Sequence, residues 1–162
     1  MTGAYANSRH PSITDGLTEL YSFGFLHIHL APQVAEAEFA EKPLTMYLYD
    51  IKGLKSINRV RGYAAGDALL RQIAGVVERL VRGEDLAARY GADRFCVVLP
   101  DTDAEYAETV LQRILSVISN TEFVIRDGAN LVHLVMKSAL AERNRGETAE
   151  ALIKRAAAGA NI

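Results

Sequence analysis

Two aspartates in this 162-residue chain have the chemistry and the expected placement to hold a divalent cation. Asp50 comes at the end of the first predicted strand, and Asp93 lies in a predicted hairpin turn. If the two strands are neighbours, the carboxylates converge, and oxygen ligands of this kind suit Mg²⁺ together with substrate phosphates. The alternative is that Asp93 only forms the turn and that Asp50 only ends its strand. The spacing by itself leaves both interpretations open.

Three further residues, Lys55, Asn58 and Asp67, could bind a purine nucleotide. Lys55 could contact a phosphate as a point charge. Asn58 and Asp67 supply an amide and a carboxylate, the groups that read the Watson–Crick edge of a purine. Asp67 could instead have only a local role at the start of a helix, where negative charge is stabilising.

Arg82 and Asp85, three positions apart before a predicted strand, form a third candidate. They could be a surface ion pair, which contributes almost nothing to stability. They could also recognise guanine, with the arginine on its Hoogsteen edge and the aspartate on its N–H groups. The residue types and spacing fit both interpretations.

Hydrophobic periodicity and turn residues predict the elements that must position these side chains. The predicted helices are 17–30, 54–60, 65–80, 104–118 and 147–158, with Pro32 breaking the first or opening a short second helix through Phe39. The predicted strands are 44–51, 86–90, 95–99, 121–126 and 131–140. Because two pairs of strands have hairpin spacing, we predict an α+β fold, with a mostly antiparallel central sheet of about five strands and helices packed around it.

Composition excludes several classes of protein. The chain has 18 Lys and Arg against 20 Asp and Glu, a net charge of −2, and no basic run that would indicate a nucleic-acid partner. No apolar stretch reaches the ~18 residues of a membrane span, and the N-terminus lacks the apolar core of a signal peptide. The single cysteine, Cys96, cannot form an internal disulfide. We therefore predict a cytoplasmic protein with a flexible lead-in over 1–14 and one domain over 15–162.

Five segments, in order and at matching spacing, resemble the motifs of the GGDEF domain, the diguanylate cyclase family. They are DGLT at 15–18, DIKGLKSIN at 50–58, GYAAGD at 62–67, RYGADRF at 89–95 and ALIKRAAAGAN at 151–161. Members of this family make cyclic di-GMP from two GTP molecules, each held with Mg²⁺ by one of two domains that meet head to head. The resemblance therefore implies a cyclase-like palm fold and guanine nucleotides as ligands.

The resemblance also assigns roles to individual residues. Asp50 and Asp93 match the metal acids of the family, in a site that could be vestigial. Lys55 matches the phosphate-binding lysine, and Asn58 and Asp67 match the guanine-reading pair. Mg²⁺ is expected only if GTP binds, and no other cofactor is expected.

The GTP site departs from the family pattern where charge matters most. The signature reads GADRF, so that Gly91, Ala92 and Arg94 line a nucleotide site that could be vestigial, with a cation in place of the fourth-position acid. Lys52 replaces another acid, and two alanines, at 156 and 160, replace the closing lysine and arginine. Removing one electrostatic contact to a transition state typically costs about 10²–10³-fold in rate. We therefore predict no catalytic residue and no diguanylate cyclase activity.

The product-binding motif of the family is kept. Arg82 and Asp85 stand at the family spacing ahead of the signature, and Arg113 matches the family's secondary arginine. A damaged catalytic centre beside an intact product site predicts a cyclic di-GMP receptor, which signals to an unidentified protein partner or to a fused sensor or receiver domain. A homodimer and residual GTP binding are compatible with this role. The alternatives are a residual diguanylate cyclase and a protein-interaction domain that binds no nucleotide.

Overall fold

The computed structural model describes residues 13–125 and 131–160. Over these residues the chain forms five helices and six strands. The helices are α1 (Phe23–Phe39), α2 (Leu54–Arg61), α3 (Tyr63–Leu80), α4 (Ala104–Ser119) and α5 (Ala149–Ala160). The strands are β1 (Leu44–Lys52), β2 (Leu86–Gly91), β3 (Arg94–Pro100), β4 (Phe123–Val124), β5 (Leu131–Val132) and β6 (Val135–Glu142). None of the described helices is long and apolar enough to cross a bilayer.

The central sheet is antiparallel throughout and has the strand order β2-β3-β1-β6. The predicted α+β fold is confirmed, with four strands in the central sheet and two more, β4 and β5, in a separate ribbon. The single strand predicted over 131–140 is in fact two strands, because β5 pairs with β4 whereas β6 pairs with β1. Leu134, which is buried in the core, lies at the junction where the chain changes partners.

The first helix begins at Phe23 rather than at Leu17, so its predicted start is wrong. The Asp15 carboxylate accepts hydrogen bonds from the Thr18 backbone N–H at 2.8 Å and from the Thr18 hydroxyl at 2.7 Å. This turn occupies the residues predicted to open the helix. Ser22 then caps α1, because its hydroxyl accepts a hydrogen bond from the backbone N–H three residues further on at 3.1 Å.

Pro32 lies inside α1, and the predicted break at this residue is wrong. A proline inside a helix removes one backbone hydrogen bond and crowds the preceding turn. Leu30 and Val34, one on either side of Pro32, are both buried against the sheet, and their burial outweighs that cost. Of the lead-in predicted over 1–14, only Ile13 and Thr14 are described, and they pair with the backbone at 21–22.

Each face of the central sheet has its own apolar core. Tyr47 and Tyr49 are completely buried on the face that packs against α3 and α4. Met46 is completely buried on the opposite face, which packs against α1 and α5. Because side chains alternate along a strand, Asp50 and Lys52 project on the same face as Met46. The fold therefore places these two charged residues together where β1 leaves the core.

Candidate functional site

Asp50 is buried at the end of β1, and its charge is already paired. Its side chain is 9% exposed, and its Oδ2 accepts a hydrogen bond from Lys52 Nζ at 2.6 Å. Its other oxygen, Oδ1, is buried and has no hydrogen-bond partner among the described residues. Across the sheet Asp50 stands opposite Arg94 of β3 on one side and Lys137 of β6 on the other. The carboxylate therefore has cationic neighbours on its own strand and on both adjoining strands.

The hairpin between β2 and β3 brings Asp93 to the end of β1. Gly91 pairs with Arg94, so that Ala92 and Asp93 form the turn. The Asp93 carbonyl accepts a hydrogen bond from the Ile51 N–H at 2.9 Å. Arg94 Nε lies 4.0 Å from Asp93 Oδ1, too far for a hydrogen bond, and it is buried without another partner in the described part of the chain. The condition for the two predicted metal acids to converge is therefore met, since β1 and β3 are neighbours.

The acids assigned to a metal do not form a complete metal site. Within residues 13–125 and 131–160, no three side chains of Asp, Glu, His or Cys lie close enough together to hold an ion. Lys52 is paired with Asp50, and Arg94 stands beside Asp93. Any Mg²⁺ bound here would need most of its ligands from water and from nucleotide phosphates.

Arg89 stabilises the turn between β2 and β3, a role that the sequence patterns did not indicate. Its guanidinium donates to the Gly91 carbonyl at 3.1 Å and to the Ala92 carbonyl at 2.9 Å, and pairs with Asp15 at 3.2 Å. Burial raises the pKa of the Asp15 carboxyl. The hydrogen bonds from Thr18 and the charge of Arg89 lower it by more than burial raises it, so the pKa lies below its ordinary value. Asp15 and Arg89 each lie in a recognised motif, but 74 positions separate them and no local pattern joins them.

Asn58 lies against the first turns of α3, which carry Asp67, because α2 turns directly into α3. Gly62 ends α2 with a φ of 86°, in the left-handed region that favours glycine, and α3 begins at the next residue. Asn58 Oδ1 is buried against Gly66, the residue before Asp67, and has no hydrogen-bond partner in the described chain. Lys55 lies exposed on α2. A buried acceptor without a partner is the kind of group that a ligand N–H would satisfy.

Replacing Gly66 with alanine is expected to displace Asn58 and to lower the free energy of unfolding by about 1–3 kcal/mol, as overpacking does. A Cβ at this position would lie 1.8 Å from Asn58 Oδ1. Gly75→Ala on the same helix is the matched control, because the nearest atom to a Cβ there is the flexible end of Arg79 at 3.4 Å. Urea denaturation measures both variants, and equal stabilities would contradict the close packing of Asn58 on Gly66.

Arg82 and Asp85 form a closed ion pair in the loop between α3 and β2. The Asp85 side chain is 1% exposed and accepts hydrogen bonds from the Arg82 backbone N–H at 2.7 Å and from Arg82 Nη2 at 3.0 Å. Nη2 also donates to Thr102 Oγ1 at 2.9 Å. Because Asp85 is buried, this is not the fully solvated pair of the first interpretation. The Arg82 side chain remains 41% exposed and can still meet a ligand.

Arg113 of α4 reaches the same end of α3. Its Nη2 donates to the carbonyl of Leu80, the last residue of α3, at 2.9 Å. Burial raises the pKa of the Tyr47 hydroxyl; the Asp85 charge raises it further and the Arg113 charge lowers it, so both charges act on one buried ring. The three residues of the predicted product site therefore lie around one helix end, and both arginines are exposed there.

The closing motif places no cation at the two positions where the family carries them. Ala156 and Ala160 of α5 are buried. Between them Gly159 packs on β6, where an added Cβ would lie 3.1 Å from that of Ala139. Asn161, the last residue of the motif, lies outside the described residues.

Comparison with known sequences finds relatives over nearly the whole chain. A family model described as diguanylate cyclase, GGDEF domain, matches residues 12–160. The response regulator PleD of Caulobacter vibrioides is 33% identical over 149 residues, which are 91% of this chain and 33% of that protein. The chain thus spans about a third of the length of this curated relative.

Solved structures of similar fold cover the same residues. The GGDEF domain of DgcB from Caulobacter crescentus, in complex with c-di-GMP, matches with a TM-score of 0.89 at 29% identity, covering 95% of this chain and 91% of that one. The FimX GGDEF domain from Pseudomonas aeruginosa matches with a TM-score of 0.87 at 26% identity, covering 93% of this chain and 92% of that one.

Proposed function

The chain belongs to the GGDEF family of diguanylate cyclases, and from that premise we propose that it is a cyclic di-GMP receptor without cyclase activity. Cyclic di-GMP binds at the product site formed by Arg82, Asp85 and Arg113. The bound domain signals to a protein partner or to a further domain in the cytoplasm, alone or as a homodimer. A ligand of this kind acts only through its different affinities for two states of the receptor.

The observation that carries this proposal is the ready-made geometry of the Arg82–Asp85 pair. The Asp85 carboxylate holds the guanidinium through two side-chain contacts, at 3.0 and 3.4 Å, while the arginine remains partly exposed. A side chain already held in one conformation loses less entropy when a ligand binds. A guanidinium matches the O6 and N7 acceptors of guanine, and because Nε and Nη2 face Asp85, guanine would meet the side of Arg82 that carries Nη1. The DgcB GGDEF domain, with which this chain shares its fold, is a c-di-GMP complex.

The charges at the end of β1 oppose catalysis. Phosphoryl transfer requires metal ions and precisely aimed cations to stabilise the charge that develops on the transferred group. Here Lys52 forms an ion pair with Asp50, and Arg94 lies next to Asp93. In addition, α5 has alanines at positions 156 and 160 and supplies no cation there. Binding of GTP through Lys55, Asn58 and Asp67 would be weak and would not lead to turnover.

Thermal unfolding with cyclic di-GMP and with GTP in parallel tests the proposal. Cyclic di-GMP at a hundred times its dissociation constant is expected to add ~2.7 kcal/mol to the free energy of unfolding, and GTP is expected to add less at equal concentration. An interaction domain that binds no nucleotide predicts that neither compound raises the melting temperature, and that result would rule out the receptor.

A further inference from the structure

The cluster formed by Asp50, Lys52, Asp93 and Arg94 at the end of β1 has a chemistry that the receptor function does not use. We infer that Lys52 acts as a built-in cation, so that this cluster excludes divalent metal ions and binds polyphosphate anions directly through Lys52 and Arg94. The inference is independent of the cyclic di-GMP site, which is built from residues of other loops and helices.

The first support is the position of the Lys52 ammonium group. Its Nζ lies 2.6 Å from Asp50 Oδ2 and takes one of the two carboxylate oxygens that a metal ion could use, while the other, Oδ1, is buried without a hydrogen-bond partner among the described residues. The carboxylate is nine-tenths buried, and the ammonium group is its counterion on the same strand. A divalent cation at Asp50 would lie beside the Lys52 ammonium group, whether it bound Oδ1 or displaced Lys52 from Oδ2. The like charges would repel each other strongly at that distance.

The second support is the balance of charge on this face of the sheet. Arg94, Asp50 and Lys137 are direct cross-strand neighbours, and such neighbours project on the same face. Lys52 lies two residues after Asp50 and projects there too. Three cationic side chains therefore stand against the two carboxylates, Asp50 and Asp93. A cluster with this excess attracts an anion rather than a second cation.

The third support is a buried donor that has nothing to bind. Arg94 Nε is buried without a hydrogen-bond partner among the described residues, and Asp93 Oδ1 is 4.0 Å away, beyond hydrogen-bond distance. Buried polar groups are nearly always paired with protein, water or ligand. An N–H of arginine pairs best with an oxyanion, and phosphate oxygens fit the planar guanidinium. A phosphate oxygen would satisfy this donor, and the Arg94 side chain, which is 40% exposed, can turn it toward a ligand.

Two probes test the inference on the full chain. Free Mn²⁺, followed by electron paramagnetic resonance, is expected to show no saturable binding to the wild-type chain. Lys52→Met is expected to gain saturable Mn²⁺ binding, because it frees Asp50 and removes one cation. Inorganic pyrophosphate, followed by calorimetry in the presence of a chelator, is expected to bind the wild-type chain and to bind Arg94→Met about tenfold more weakly.

Lys42→Met is the matched control, because Lys42 also forms a short pair with an aspartate, Asp101 at 2.9 Å, but both side chains are more than half exposed. It is expected to change neither binding curve. Saturable Mn²⁺ binding by the wild-type chain, pyrophosphate binding that requires Mg²⁺, or no pyrophosphate binding at all would each overturn the inference. These wild-type results decide the matter even if Lys52→Met fails to fold. Cyclic di-GMP binding is expected to be unchanged in Lys52→Met, which separates this inference from the receptor function.

Discussion

Arg82→Ala is expected to weaken cyclic di-GMP binding by about tenfold to a hundredfold, because a bidentate arginine–guanine contact contributes ~1–3 kcal/mol. The same change removes both guanidinium contacts of the Asp85 carboxylate, whose side chain is only 1% exposed. Of its contacts with residue 82, only the hydrogen bond from the backbone N–H is left. A buried charge that loses its counterion destabilises a fold. The variant is therefore also expected to melt at a lower temperature than the wild-type chain.

Calorimetry below the melting temperature of the variant separates the two effects. Glu84→Gln is the matched control, since Glu84 also contacts the Arg82 guanidinium, at 3.4 Å, but is 58% exposed. It is expected to bind cyclic di-GMP like the wild-type chain. Arg82→Lys keeps the charge without the planar fork, and it is expected to bind with intermediate affinity. If Arg82→Ala is folded and binds as tightly as Glu84→Gln, the assignment of Arg82 to the site is wrong.

The second large effect is the absence of turnover. Incubation with GTP and Mg²⁺ is expected to yield no cyclic di-GMP, because several electrostatic contacts are lost together and each is typically worth about 10²–10³ in rate. The positive charge of Arg94 would also repel a metal ion bound at the neighbouring acids. Two unit like charges about 4 Å apart repel by ~4 kcal/mol at an effective dielectric constant near 20. Chromatography of the reaction mixture measures the product.

A residual cyclase is the competing account, and the nearness of Asp93 to the end of β1 favours it. The test of that account is Asp93→Ala. Turnover by the wild-type chain that disappears in this variant would show that the acids still hold a catalytic metal. Turnover that is equal in both proteins would instead indicate a contaminating enzyme, and the control is a mock purification without the chain.

The sequence predicted the order of the elements and the pairing of β2 with β3, because apolar periodicity and hairpin spacing are local signals. It failed at Pro32, where burial on both sides of the proline outweighs a local penalty. It also failed at 131–140, since alternation within a strand does not say which strand is its partner. Both failures arise where tertiary packing overrides local preference.

The same distinction applies to the candidate site. The sequence showed that Lys52 stands where the family has an acid, but only the structure shows that the Lys52 ammonium group binds Asp50. The contact was within reach of the sequence, because residues two apart on a strand share a face. The Asp15–Arg89 pair was not, since it joins positions 74 apart. Likewise, the burial of Asp85 shows that its pair with Arg82 is not a fully solvated surface pair, and no spacing of residue types reveals burial.

The net charge of −2 conceals the arrangement that separates a receptor from an enzyme. Cationic residues are present at Arg82 and Arg113, where a guanine dinucleotide would bind. Others, Lys52 and Arg94, stand where a catalytic site would need acids. The proposed function therefore rests on where the charges lie and not on their sum.

Isothermal titration calorimetry with cyclic di-GMP, beside an equal titration with GTP, tests the receptor function most directly. The account predicts saturable binding of cyclic di-GMP that is tighter than that of GTP, is strongly weakened by Arg82→Ala and is unchanged by Glu84→Gln. No saturable binding of cyclic di-GMP, or binding that Arg82→Ala leaves unchanged, would contradict it.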